Sequence, residues 1–130
     1  GDPSIQHRAL TTEEIYELIK DFATCAMLAK MGGADGIEVH AVHEGYLLDN
    51  FTMEYFNQRE DEFGGDLMGR LRFPLAILQA VKQACGKDFP VILRFSLKSF
   101  IRAERHGILP GESYPELGRD IEEGLQFAKY

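Results

Sequence analysis

Tryptophan is absent, cysteine occurs twice, and positive charge is in short supply: 14 lysines and arginines stand against 21 aspartates and glutamates, a net charge of −7. No basic cluster is interleaved with aromatic residues, so nucleic acid is excluded as a partner. No uninterrupted apolar run is long enough to span a bilayer and no signal-peptide pattern opens the chain, which begins Gly1-Asp2-Pro3. A membrane is therefore not an expected partner. Cys25 and Cys85 lie far apart, without CxxC spacing. That excludes a disulfide framework and any cysteine motif for an iron–sulfur cluster, and it predicts two buried thiols in a reducing compartment, the cytoplasm.

What is present is ordinary globular material, 45% apolar and 27% charged, and 130 residues suffice for one domain with a core. Gly1 to Leu10 has no periodicity and reads as a lead-in loop. Thr11-Thr12-Glu13-Glu14 has capping-box spacing. Ile15, Leu18, Ile19, Phe22, Ala26 and Ala29 then recur at helical spacing, predicting an amphipathic helix to Met31 ended by Gly32-Gly33. A strand is expected at Gly36 to Ala41. Gly64-Gly65 makes a turn, Asp66 caps a second helix, and Leu71, Leu75, Leu78, Val81 and Cys85 form its apolar face up to Gly86. Pro74 inside that pattern predicts a kink or a late helix start. Phe89 to Ser96 is the second strand. Leu97 to Glu112 reads as irregular. Ser113 and Glu116 repeat the capping-box spacing, so a third helix is expected from there, with Leu117, Ile121, Leu125 and Ala128 on its apolar face.

The order helix–strand–helix–strand–helix implies α/β architecture, with two parallel strands joined by a helical crossover. Two parallel strands make a poor sheet alone, because such sheets are normally covered on both faces by more of the same unit. The 130 residues therefore read as a single segment of a larger α/β protein, with open sheet edges that favour self-association.

The chemistry concentrates in Gly36 to Gly65, where a strand runs into a long segment holding His40, His43, Glu44, Tyr46, Asp49 and Asn50. Long connections of this kind are usually functional. Alternation puts Ile37 and Val39 on one face of the first strand and Glu38 and His40 on the other. In the second strand, Val91, Leu93 and Phe95 oppose Ile92, Arg94 and Ser96. With the more apolar faces on the helices, Glu38, His40 and Arg94 share the inner face near the carboxyl ends of parallel strands, where α/β folds bind ligands. Glu38 and Arg94 can be a simple ion pair, or Glu38 can orient a permanent cation toward an electron-rich cofactor. His40 and His43 can ligate a metal or donate hydrogen bonds to a substrate carbonyl. Tyr46 can pack or act as a general acid.

Several motifs carry a resemblance. Asp35-Gly36-Ile37-Glu38-Val39-His40, His43, Gly45-Tyr46-Leu47-Leu48, Phe51, Asn57-x-Arg59-x-Asp61-x-Phe63-Gly64-Gly65, Arg70-x-Arg72-Phe73, and Phe89-Pro90-Val91 leading to Arg94-x-Ser96 together resemble the old yellow enzyme family. The run from His40 to Phe51 is similar to the branch of 2,4-dienoyl-CoA reductase and the bile-acid-inducible NADH:flavin oxidoreductases. The resemblance implies a partial (β/α)8 TIM barrel. It also implies FMN and NAD(P)H as cofactors of the intact enzyme, and reduction of activated C=C bonds in enones or enoyl and dienoyl thioesters. By motif, His40 and His43 would hold the substrate carbonyl, Tyr46 would donate the proton, and Arg94, the cation that alternation lets Glu38 orient, would serve the flavin; no metal is implied. Two departures stand out: Glu44 separates His43 from Gly45-Tyr46, and Gly69 replaces an asparagine before Arg70. A full barrel takes about 250 residues, so this segment alone is expected to be inactive. The alternative is a self-associating assembly module that keeps the sequence without catalysis.

Overall fold

The computed structural model describes residues 4, 8–41, 46–101, 111 and 115–130. Its elements run α1 (Thr12–Met31), β1 (Ile37–Ala41), α2 (Leu47–Thr52), α3 (Leu67–Cys85), β2 (Val91–Phe95) and α4 (Ile121–Phe127).

The start of α1 follows directly from its first residues. The Thr11 hydroxyl accepts from the Glu14 amide at 3.2 Å and Glu14 Oε2 accepts from the Thr11 amide at 2.8 Å, the reciprocal capping box. Arg8 donates to both oxygens of Glu14, at 2.7 and 2.6 Å. The Arg8 hydrogen bond, with that from the Thr11 amide, holds the Glu14 carboxyl down at about 2. At the other end Gly33 supplies the positive φ, +93°, that turns the chain toward β1.

The strands pair in parallel, with Glu38 opposite Ile92 and His40 opposite Arg94. Val39 and Ala41 are buried. With Ile15, Ile19 and Ala26 of α1, Leu48 and Phe51 of α2, and Phe73, Ile77, Val81 and Cys85 of α3 they form one core, against which Ile37, Val91 and Leu93 pack. The helices therefore cover one face of the sheet, and Glu38, His40, Ile92 and Arg94 lie on the other, exposed. Fold class, strand order and facing match the expectation from alternation.

Three expectations need correction and one is narrowed. Of the two outcomes expected at Pro74, a kink or a late helix start, the late start is absent: α3 runs from Leu67 to Cys85 with Pro74 buried inside it. The expected start of the third helix, Ser113, lies outside the described residues, and the helix that is described, α4, begins only at Ile121. Residues 116–119 instead run extended beside 99–101, with the Ser99 amide donating to the Arg119 carbonyl and the Leu117 amide to Ile101. The cap is Asp120, whose carboxylate accepts from the Glu123 amide at 2.8 Å. Its buried residues are Gly124 and Phe127, whereas Ile121 and Leu125 are half exposed. Cys25 is exposed and only Cys85 is buried, because Cys25 projects beside, not along, the Ile15–Ile19–Ala26 stripe of α1.

The segment after β1 is also less loop-like than its polar residues suggest. Leu48, Phe51 and Thr52, at i, i+3 and i+4, fold as the short helix α2 and are all buried. From there to α3 the Asn57–Gly65 motif is a set of internal ties. The buried Asn57 amide donates to the carbonyls of Phe51 and Phe63, each at 2.7 Å. Arg59 grips Asp61 and donates to the Leu10 carbonyl at 2.7 Å, and its guanidinium keeps the Asp61 carboxyl below its ordinary range. A Cβ on Gly64 would sit 2.1 Å from the Arg59 carbonyl oxygen, and one on Gly69 would sit 2.0 Å from that of Gly64. Glycine at 69 is thus what lets the first turn of α3 pack on the Gly64 turn.

Candidate active site

On the face of the sheet away from the helices, Arg94 Nε lies 2.9 Å from Glu38 Oε1, both side chains about half exposed. The ion pair expected from alternation is present, and it stands beside His40, the register partner of Arg94. His40 and Tyr46 meet edge to face with ring centroids 6.1 Å apart. Tyr46 is the N-cap of α2 and is largely exposed. Four of the five residues singled out from sequence (Glu38, His40, Tyr46 and Arg94) thus gather at the carboxyl end of β1 and on the open face. The fifth, His43, lies outside the described residues. Among the described residues no three His, Cys, Asp or Glu side chains are grouped so as to hold a metal ion, and no helix is long and apolar enough to cross a membrane.

Behind this face lies a network that composition and motif did not reveal. Arg119 is fully buried. Its Nη1 donates to the Ser96 carbonyl at 2.6 Å, and its Nη2 donates to the Thr52 hydroxyl and lies 3.4 Å from Asp49 Oδ1. Its Nε is 3.7 Å from Glu123, and the guanidinium sits 5.2 Å from the centre of the Phe127 ring. Burial pulls the Arg119 guanidinium below its ordinary value, while Asp49 and Glu123 act against that. Arg70, also buried, donates to both Glu123 oxygens at 3.1 and 3.0 Å and to the Thr52 carbonyl at 2.7 Å. Two cations and two carboxylates therefore compensate one another under the sheet's carboxyl edge. The available signal was the i, i+4 spacing of Arg119 and Glu123 across a helix start, which reads equally well as a solvated pair.

The sequence profile of the "NADH:flavin oxidoreductase / NADH oxidase family" matches residues 1–122. This chain belongs to that family. It is 54% identical over 127 residues to the cinnamate reductase of Clostridium sporogenes, covering 98% of this chain and 19% of that protein. Against the NADH oxidase of Thermoanaerobacter brockii it is 40% identical over 124 residues, 95% of this chain and 17% of the relative. The fold superposes on 2-naphthoyl-CoA reductase, solved with 2-naphthoyl-CoA, at a TM-score of 0.75 and 32% identity, over 94% of this chain and 16% of that one. The chain thus spans about a fifth of the length of the relatives it matches. It is a partial (β/α)8 barrel, and the old yellow enzyme resemblance stands.

Proposed function

We propose that this segment supplies the substrate-holding and proton-donating part of an FMN-dependent reductase acting on C=C bonds conjugated to a carbonyl. The observation that carries the reading is the shared location of Glu38–Arg94, His40 and Tyr46 on the sheet face that the helices leave open. Family membership supports FMN and NADH or NADPH as the cofactors, and the cinnamate reductase relative supports an unsaturated acyl substrate.

The donor set fits a flavin. Arg94 offers a permanent cation on an open face, aimed by Glu38, to a ring edge that gains negative charge on reduction. Bound FMN would supply the hydride, received from the nicotinamide cofactor. The rest falls to this chain. His40 and His43 hold the carbonyl oxygen and draw charge from the double bond. The Tyr46 hydroxyl gives a proton to the α-carbon as the β-carbon accepts hydride, and regains one from solvent. One C=C bond becomes CH–CH while one NAD(P)H is oxidised, so electrons and protons balance.

The 130 residues are read as half-sites, since among the described residues β1 and β2 form a two-stranded sheet in which each has one neighbour. Catalysis belongs to the protein in which further strands close the barrel. Anaerobic NADH-dependent saturation of trans-cinnamate or cyclohexenone tests the reading, using the flavin-loaded protein that carries this segment. Arg94→Ala is expected to weaken flavin retention by tenfold or more. A protein that purifies without flavin, or turns over NADH equally well without an unsaturated acceptor, would contradict it.

A further inference from the structure

We infer that Arg119 is a positioning residue that fixes the helix carrying Tyr46 to the end of the strand carrying Arg94. The inference rests on the reading of the site given above and extends it to a residue far from that face in sequence.

The geometry is specific. Tyr46 caps α2, and its carbonyl accepts from the Asn50 amide at 2.9 Å, so the ring moves with the helix. α2 has six residues and is too short to hold itself in place. Its side chains Asp49 and Thr52 are both buried, and both meet Nη2 of Arg119. The other arm, Nη1, donates to the carbonyl of Ser96, two residues beyond Arg94 and just past the end of β2. One planar guanidinium therefore bridges the two elements that present the proton donor and the flavin-side cation. Glu123 and the Phe127 ring hold the guanidinium from α4. A fork of fixed geometry suits this task better than a lysine, whose single ammonium must choose among the same acceptors. Proton delivery is sensitive to placement: about 1 Å of displacement can cost on the order of a hundredfold.

The test uses Thr52→Val, which removes one acceptor of Arg119 at nearly constant volume, and Arg119→Lys, which keeps the charge and loses the fork. Both are made in the flavin-loaded protein that carries this segment. Amide exchange is expected to speed up about tenfold in α2, at Asn50 and Met53, with α1 and α3 amides within twofold. In rapid mixing, reduction by NADH should stay within twofold, while reoxidation by cyclohexenone slows about tenfold in Thr52→Val and more in Arg119→Lys. Should Arg119→Lys fail to fold, Thr52→Val decides alone.

Uniform acceleration of all amides, or none, would make Arg119 an ordinary core residue and overturn the inference. So would faster exchange in α2 with unchanged reoxidation. A wild-type protein that is not reoxidised by any unsaturated acceptor would instead remove the functional reading, and amide exchange would still decide whether Arg119 anchors α2.

Discussion

Three arginines illustrate how burial sets what a charge does. Arg94 pairs with Glu38 in the open, where an ion pair contributes about 0–1 kcal/mol to folding; its value lies in what it presents. Arg119 is fully enclosed, with Asp49 beside it equally enclosed. Arg119→Met would strand that carboxylate, so a loss of about 3–5 kcal/mol is expected in urea unfolding, against less than about 1 kcal/mol for Arg94→Met. Equal losses would contradict the burial argument. Arg8 acts through a third residue, Glu14, whose carboxyl it helps hold at about 2. Because that value is depressed below the ordinary 4.5, the stability Glu14 lends to α1 is fully present above pH 4.5 and drains away as pH falls toward 2. Urea midpoints of wild type and Glu14→Gln should therefore differ at neutral pH and converge near pH 2. A gap that widens in acid would refute the assignment.

Among elements, the legible ones were those whose patterning and caps agree. Thr11 with Glu14, Gly32-Gly33, Asp66 and Gly86 mark α1 and α3 from both ends, and alternation alone assigned Glu38, His40 and Arg94 to one face. α2 was hidden because its polar residues look like loop chemistry, although Leu48, Phe51 and Thr52 have helical spacing and are buried. α4 was misplaced because Ser113 and Glu116 imitate a capping box. Tertiary pairing of 116–119 with 99–101 holds that stretch extended and moves the cap to Asp120. Even the apolar stripe misled: Ile121 and Leu125 stay half exposed while Phe127 packs on Phe95, ring centres 4.4 Å apart. The Gly64–Arg59 contact could not be read from pattern, since it depends on where the Arg59 carbonyl ends up. Gly64→Ala is expected to cost about 1–3 kcal/mol by overpacking that contact. Thr11→Ala should cost about 1 kcal/mol through the lost cap. Thermal unfolding of the two variants measures both, and a neutral Gly64→Ala would mean the turn can open without penalty.

Taken whole, the described residues form a layer of helices on one face of a two-stranded sheet, whose other face carries Glu38, His40, Ile92 and Arg94 exposed. Ile92 is 60% exposed on the bare face, and Leu97 and Phe100 beyond β2 are exposed as well. Unpaired strand edges and apolar surface of this kind seek cover. The isolated 130 residues are therefore expected to self-associate and to elute from size exclusion without flavin when FMN is supplied. A monomer would contradict the self-association, and a stoichiometric yellow peak would show that these residues form a flavin site without further strands. In the intact barrel the same face would be the inner wall, which is why the residues that look exposed here are those assigned to chemistry.

The central claim is that Tyr46 delivers the proton beside the Glu38–Arg94 pair, and rapid mixing of Tyr46→Phe in the flavin-loaded protein tests it most directly. The predicted result is flavin reduction by NADH within about threefold of wild type and reoxidation by cyclohexenone slowed a hundredfold or more, the range lost with a general acid. Reoxidation at the wild-type rate, or equal slowing of both steps, would contradict the assignment of this face as the active site.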